Sequence, residues 1–368
     1  MKTPKLVKNR PLTGAHHAIL LGFLSSMLWF SPACIEEDLT GQLPGMDGGS
    51  SSDLDAGGDG VTDQGEQPDT SGTGGGDDVI VPDAGQLDGG SGGEDLTGGE
   101  EEDMGKGDDG GVLPPSRCTE LAREIACTYH TTELDIDGIS RDIHWEVPAG
   151  EAPASGWPIV VFFQGSFFSS EYSWEASEGT PYGAYQLTRT FKALLDEGFA
   201  ILAPEASFGG STYWDTNIWP YNYSWESSND HELMLALFDE AGQGTFGELD
   251  TNRWFATGIS SGGYMTSRMA IAYPGKFRAL AIASGSYATC AGVVCSVPDA
   301  DELPTDHPPT LFLHGSLDAT VPLYTMESYA EELTILGTAN TQVIDDTAGH
   351  EWLPAAVEAL PSWFKTHP

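Results

Sequence analysis

The sequence from residue 117 onward predicts an α/β fold, a mostly parallel central sheet flanked by helices and preceded by a disordered acidic tether. Three observations predict it. Short apolar runs suited to burial on both faces alternate with stretches of helical periodicity, the order expected of parallel strands joined by helical crossovers. Composition changes abruptly near residue 117, from Gly, Asp, Ser and Thr to a mixture rich in aliphatic and aromatic side chains. About 250 residues then remain, enough for one such domain.

The elements follow in order. Residues 134–137 (LDID) and 143–147 (IHWEV) alternate apolar and polar side chains, as half-buried strands do. Fully buried strands are expected at residues 159–163 (IVVFF), 199–203 (FAILA), 254–257, 279–283 and 310–313 (TLFL), with a further strand at 341–344. Helical patterns occupy residues 182–197, 229–241, 262–273, 323–336 and 352–365.

The N-terminus carries the signals of export. Lys2, Lys5, Lys8 and Arg10 precede a 13-residue apolar core, AILLGFLSSMLWF. A membrane span needs about 20 apolar residues, so this length suits a signal peptide. Ser31-Pro32-Ala33-Cys34 follows and resembles a bacterial lipobox, with Ser31 where Leu is usual. Residues 1–33 are therefore expected to be a lipoprotein-type signal peptide, with Cys34 lipidated and the product exported to the cell surface or outer membrane. An ordinary cleaved signal and a secreted product is the alternative.

The five cysteines agree with export. Cys118 with Cys127 and Cys290 with Cys295 bracket short segments, and two local disulfides would leave Cys34 alone. C-x8-C and C-x4-C lack zinc-ribbon spacing, and no His cluster lies nearby, so no metal site is expected.

Residues 34–116 form the linker. Between residues 35 and 116 there are 22 acidic side chains, one basic side chain and no aromatics. Such a segment cannot bury enough apolar surface to offset its ordering entropy. SSDLDAGGDG is not an EF-hand loop, because Gly57 stands at the third ligand position. The whole chain carries a formal charge of −41. That field repels phosphates and argues against nucleic acid as a partner, leaving membrane contact to the N-terminal lipid.

The chemistry begins at ATGISSGGYMTSRMA. Gly258-Ile259-Ser260-Ser261-Gly262 matches G-x-S-x-G between an expected strand and an expected helix, the setting of a nucleophile elbow in an α/β-hydrolase fold. Only Ser260 has glycine two residues to either side. In this fold the acid and the histidine follow the serine in that order. Asp318 lies in the loop after TLFL, and His350 lies in GHEW before the last helix. Asp345 and Asp346 are rival acids that read better as a cap at a strand end.

The three imply acyl transfer. His350 would take the proton of Ser260 and return it to the leaving alkoxide, and Asp318 would hold the imidazole tautomer. The oxyanion hole would use the backbone amides of Ser261, the residue after the nucleophile, and of Ser166 in the loop after IVVFF. No cofactor is called for.

Aromatics crowd two loops: Phe167, Phe168, Tyr172 and Trp174 in one; Tyr213, Trp214, Trp219, Tyr221, Tyr223 and Trp225 in the other. They form either an apolar substrate surface, with Phe167, Phe168, Trp174, Trp214 and Trp219 as contacts, or a lid or satellite core that buries them.

GISSGGYMTSRMA, GKFRALAIASGSYATCAGVVC, HPPTLFLHGSLDATVP and GHEW together resemble extracellular depolymerases of medium-chain-length polyhydroxyalkanoates, serine hydrolases of the α/β-hydrolase fold. The resemblance runs from about residue 158 to 368. It implies Ser260 as nucleophile, Asp318 as acid, His350 as base and a Cys290–Cys295 pair. Cleavage of hydroxyalkanoate polyesters or their oligomers is the expected activity. A carboxylesterase acting on soluble lipidic or plant-derived esters, or a non-catalytic surface adhesion lipoprotein, is the alternative.

Overall fold

The computed structural model describes residues 116–206 and 213–368. The expected signal peptide, Cys34 and the linker up to residue 115 lie outside the described residues.

Strand β5 (Trp157–Phe163) shows why the sequence folds as a layered sheet. Every residue after Trp157 is buried. Ile159, Val161 and Phe163 enter one core cluster, and Val160 and Phe162 enter the other. That is the period-two alternation of a strand covered on both faces. Fully burying one such side chain contributes about 1.5–3 kcal/mol, so the run ATTRACTS helices to both sides of the sheet.

The eight-stranded sheet has the order β11 (Asn340–Asp345), β10 (Thr310–Gly315), β9 (Phe277–Ala283), β8 (Leu249–Ile259), β5, β7 (Ala200–Pro204), β4 (Ile139–Glu146), β3 (His130–Ile136). The run from β11 to β7 is parallel. Strands β4 and β3 extend it as an antiparallel edge. Helices α1 (Ala184–Asp196) and α5 (Ala356–Thr366) bury Leu187, Phe191, Leu194, Leu360 and Phe364 on one face. Helices α2 (Asn229–Gly242) and α3 (Ser261–Ala272) cover the other with Leu233, Met234, Leu237, Met265 and Met269. Helix α4 (Leu323–Leu336) packs Met326, Tyr329 and Leu333 into a third cluster with Phe312 and Ile282.

This is the α/β-hydrolase fold the sequence predicts. From β5 the chain passes through α1 to β7, then crosses to β8 on the opposite side of β5. The reversal creates a switch point at the carboxyl ends of β5 and β8, where open α/β sheets bind ligands.

Three local differences have physical causes. Helix α1 begins at Ala184 instead of residue 182, because Tyr182 and Gly183 sit at φ 60° and 70°. A Cβ on Gly183 would stand 2.2 Å from the Trp352 carbonyl oxygen, so only glycine lets the two loops meet. Helix α5 begins at Ala356 instead of residue 352. Trp352 is buried in the core, its amide bonded to Tyr182 O at 3.0 Å and its indole N–H to Thr190 Oγ1 at 3.0 Å. The third difference is a small sheet of β1 (Cys118–Glu120), β2 (Glu124–Cys127) and β6 (Glu175–Ser177), whose strands are too short to show alternation in sequence. Cys118 stands directly opposite Cys127 and forms a disulfide with it, and a second disulfide joins Cys290 to Cys295.

Candidate active site

The turn from β8 to α3 centres on Ser260, at φ 58° and ψ −121°. A non-glycine residue in this region is strained and persists only where its surroundings over-determine it. Here the determinants are the two flanking glycines. A Cβ on Gly258 would lie 2.4 Å from Gly262 O, and one on Gly262 would lie 2.0 Å from Phe163 O. The Ser260 amide donates to Ala283 O at 3.0 Å, and its carbonyl accepts from Gly263 and Tyr264 at 2.8 and 3.1 Å. The chain is thus clamped between β5 and β9 at the serine. Ser260 is partly exposed, whereas Ser261 is buried.

Ser261 is the first residue of α3, so its amide has no acceptor in a preceding helical turn. Its hydroxyl is buried without a hydrogen-bond partner among the described residues. The loop after β5 lies against the elbow: a Cβ on Gly165 would stand 3.6 Å from Ser260 Cβ. Ser166 follows, partly exposed, and Phe167 adopts φ 66°.

The acid and the histidine meet. Strand β10 ends at Gly315, where a Cβ would lie 2.3 Å from Ala348 O and 2.4 Å from Gly349 O. This approach brings the Asp318 and His350 loops together, with His350 Nδ1 2.8 Å from Asp318 Oδ2. Since a carboxylate only accepts, Nδ1 carries the hydrogen, which leaves Nε2 of the neutral ring as the basic nitrogen. Asp318 Oδ1 accepts from the Thr320 and Val321 amides at 2.9 and 2.8 Å. Burial alone would raise the Asp318 carboxyl, but the hydrogen bond and charge of His350 and these two amides outweigh it. The carboxyl is held below its ordinary value.

The histidine loop also reaches toward the elbow. Ser284 follows Ala283, the acceptor of the Ser260 amide, and its hydroxyl donates to Glu351 O at 3.2 Å. His350 retains 16% side-chain exposure, while the Asp318 side chain has none. A second histidine, His314, is fully buried beside the same oxygen: its Nε2 lies 2.8 Å from Val321 O and 3.5 Å from Asp318 Oδ2. Desolvation lowers its pKa below the ordinary histidine value. The rival Asp345 caps a turn through Thr347, whose amide and hydroxyl both stand 2.8 Å from its Oδ1.

The aromatic residues divide. Phe167, Phe168 and Trp219 are exposed by 64%, 43% and 79%, and Phe168 meets Tyr182 edge to face at 5.4 Å. Trp174 and Trp214 are fully buried, which corrects their expected place at a substrate surface. Trp174 packs against Phe191 and Tyr129 at centroid distances of 4.9 and 5.5 Å. The Trp214 indole donates to Gln164 O at 2.9 Å and packs on Phe163. Both belong to the satellite-core alternative.

Sequence reasoning missed two buried polar groups. Arg141 donates to Asp230 Oδ1 at 2.9 Å, and Asp230 Oδ2 accepts the Asp215 amide at 2.7 Å, fixing the start of the second aromatic segment. Burial, then the charge of Asp230, pushes the Asp215 carboxyl up to about 7. The other group surrounds the loop after β5 through Gln164, Glu205 and His144. Neither has a motif: the partners lie on separate strands and loops.

No protein-family model matches the chain. A poly(3-hydroxyoctanoate) depolymerase from Pseudomonas fluorescens is 43% identical over 265 residues, covering 70% of this chain and 93% of that protein. Among solved structures, esterase PE8 superposes with a TM-score of 0.43 at 18% identity, covering 61% of this chain and 100% of that one. Est1E from Butyrivibrio proteoclasticus gives 0.45 at 15%, covering 64% and 98%. Esterase 2 from Thermogutta terrifontis, phosphorylated by paraoxon, gives 0.44 at 15%, covering 64% and 91%.

Proposed function

The chain belongs to the family of the Pseudomonas fluorescens poly(3-hydroxyoctanoate) depolymerase and is a carboxylic ester hydrolase; from that premise we propose that it cleaves hydroxyalkanoate polyesters or their oligomers through Ser260, His350 and Asp318. The observation that carries the residue assignment is the 2.8 Å bond from His350 to a buried, doubly amide-bonded Asp318, on the loops beside a strained Ser260.

The mechanism follows from acyl transfer. His350 Nε2 removes the Ser260 proton as Oγ attacks the ester carbonyl. The tetrahedral oxyanion is received by the Ser261 and Ser166 amides, which act where charge develops. Collapse expels the alkoxide, protonated by His350, and leaves an acyl-enzyme. Water, deprotonated by His350, attacks the acyl carbon, and the acid product leaves with Ser260 restored. Asp318 stays ionised throughout and holds the imidazole in the tautomer this sequence requires.

Phe167, Phe168 and Trp219 offer apolar contact to the substrate. Their exposure supports that role, since an apolar polyester can cover what water leaves uncovered. The two disulfides support export. With the basic, apolar and Cys34-containing N-terminus, they favour a tethered or secreted enzyme in which residues 34–116 are the linker and residues 117–368 the catalytic domain.

Ser260→Ala tests the assignment on p-nitrophenyl octanoate and on a latex of medium-chain polyhydroxyalkanoate. The expected loss in kcat is about 10⁴-fold or more on both; a variant as fast as the parent overturns the nucleophile. Hydrolysis of the soluble ester by the parent with no clearing of the latex overturns the polymer substrate and leaves the carboxylesterase.

A further inference from the structure

We propose that Gln164 and Glu205 are positioning residues for the oxyanion hole, holding residues 165–171 so that the Ser166 amide faces Ser260. The inference rests on the serine-hydrolase reading of Ser260.

The loop's own backbone makes single-turn contacts, such as the Phe168 amide to Gly165 O at 3.4 Å, and Phe167 sits at φ 66°. Two side chains close it from beneath. Gln164, 2% exposed, accepts the Ser170 amide at 3.1 Å and the Ala206 amide at 3.4 Å on Oε1, and donates through Nε2 to Phe168 O. Its carboxamide therefore ties both flanks of the loop to the end of β7.

Glu205 follows β7 and gathers the far side of the loop on one carboxylate oxygen. Oε1 accepts the Ser169 hydroxyl, the Glu171 amide at 3.3 Å and a share of the Ser170 hydroxyl at 3.1 Å. The Ser170 hydroxyl also lies 2.9 Å from Ala203 O. The carboxylate is fixed in turn by His144 on β4, whose Nε2 stands 3.3 Å from Oε1 and whose Nδ1 is 2.9 Å from Thr131 Oγ1. Burial would raise the Glu205 carboxyl, but the His144 and Ser169 hydrogen bonds outweigh it and hold it low, so it stays an anionic acceptor.

The arrangement has a catalytic consequence because an oxyanion donor acts only when pre-placed. An amide that must reorganise at the moment of reaction stabilises the oxyanion less, without changing how the ground-state ester binds. The Ser261 amide is placed by the elbow itself. The Ser166 amide depends on the two side chains.

The test compares an octanoate ester with its thionoester, in which sulfur replaces the carbonyl oxygen. Sulfur is a weak acceptor, so the thionoester draws little on the oxyanion donors. In Glu205→Ala, kcat for the oxygen ester is expected to fall about 10- to 100-fold with KM within about threefold, while the thionoester rate falls less than about threefold. Glu205→Gln keeps an acceptor oxygen and is expected to recover part of the loss. Gln164→Met, which preserves buried volume, gives the same selective loss and serves if Glu205→Ala does not fold.

Equal losses on both esters in a folded variant, as a general structural defect would cause, overturn the inference, and so does no loss on either. The parent and Ser260→Ala, measured beside them, test the underlying reading separately. Full activity in Ser260→Ala overturns that reading and the inference with it.

Discussion

The turn that carries Ser260 and the loop packed against it are shaped in opposite ways. The elbow at Ser260 is built from neighbours in sequence: Gly258 and Gly262 admit backbone atoms that no side chain would. The loop after β5 is held by one neighbour and two distant partners. Gln164, Glu205 and, behind them, His144 hold it through side-chain hydrogen bonds from three separate parts of the chain. A locally built turn leaves a spacing pattern in the sequence, whereas a tertiary one leaves unremarkable residues far apart.

The largest expected effect breaks neither loop. Asp318→Asn keeps the volume of the acid but can bond the other imidazole tautomer, and kcat is expected to fall about 10⁴-fold. Steady-state kinetics on p-nitrophenyl octanoate measures it, and a fall of less than tenfold counts against Asp318 as the acid. A pH series on stability sharpens the point. The Asp318 carboxyl is lowered in the folded state, so its contribution is present above the unfolded value and lost as pH falls through the folded one. The parent is expected to lose stability through the acid range in part through this group. Asp318→Asn should show a flatter acid limb in thermal melts.

Gly262→Ala attacks the locally built turn. A Cβ 2.0 Å from Phe163 O cannot be absorbed by a side-chain rotation, so the elbow or β5 must shift. We expect a loss of about 3 kcal/mol in stability, at the upper end of overpacking costs, and about 100-fold in activity from displacement of Ser260, the proposed nucleophile. Urea unfolding and kcat together check it. An unchanged kcat would show that the elbow tolerates what its geometry forbids. The comparison with the clamp variants is direct, because Gly262→Ala should slow ester and thionoester alike.

The same contrast explains what could be read from residues alone. The strand–serine–helix order, the buried strands and the order of serine, acid and histidine are carried by local patterns, and the strands of the large sheet and the helices fall where those patterns lie. Leu323–Leu336 is helical to the residue. The ends of α1 and α5 were less legible, because Trp352 leaves the helical pattern to pack under Thr190 and Tyr182. Composition also failed to separate buried from exposed tryptophans. Trp214 and Trp219 lie five positions apart in one aromatic stretch, and their fates depend on the Gln164 carbonyl, an acceptor 50 positions away from Trp214.

That pair gives the smallest expected effect on activity and the finest test of the comparison. Trp214→Phe removes the indole donor that the Gln164 carbonyl accepts, and the loss of that hydrogen bond costs about 0.5–1.5 kcal/mol. It should lower the melting temperature and, through Gln164, slow the oxygen ester more than the thionoester. Trp219→Ala should leave stability within about 0.5 kcal/mol, because the side chain is 79% exposed and packs little. Its cost should fall on the latex alone, as a several-fold loss of clearing rate with soluble-ester kinetics unchanged. Equal effects of Trp219→Ala on latex and soluble ester would place Trp219 at the reacting acyl group instead of at the polymer surface. No effect on either would remove it from the substrate contacts. Either way, two tryptophans of one stretch act through different physics: one through a hydrogen bond inside the fold, the other through apolar area left for a substrate to cover.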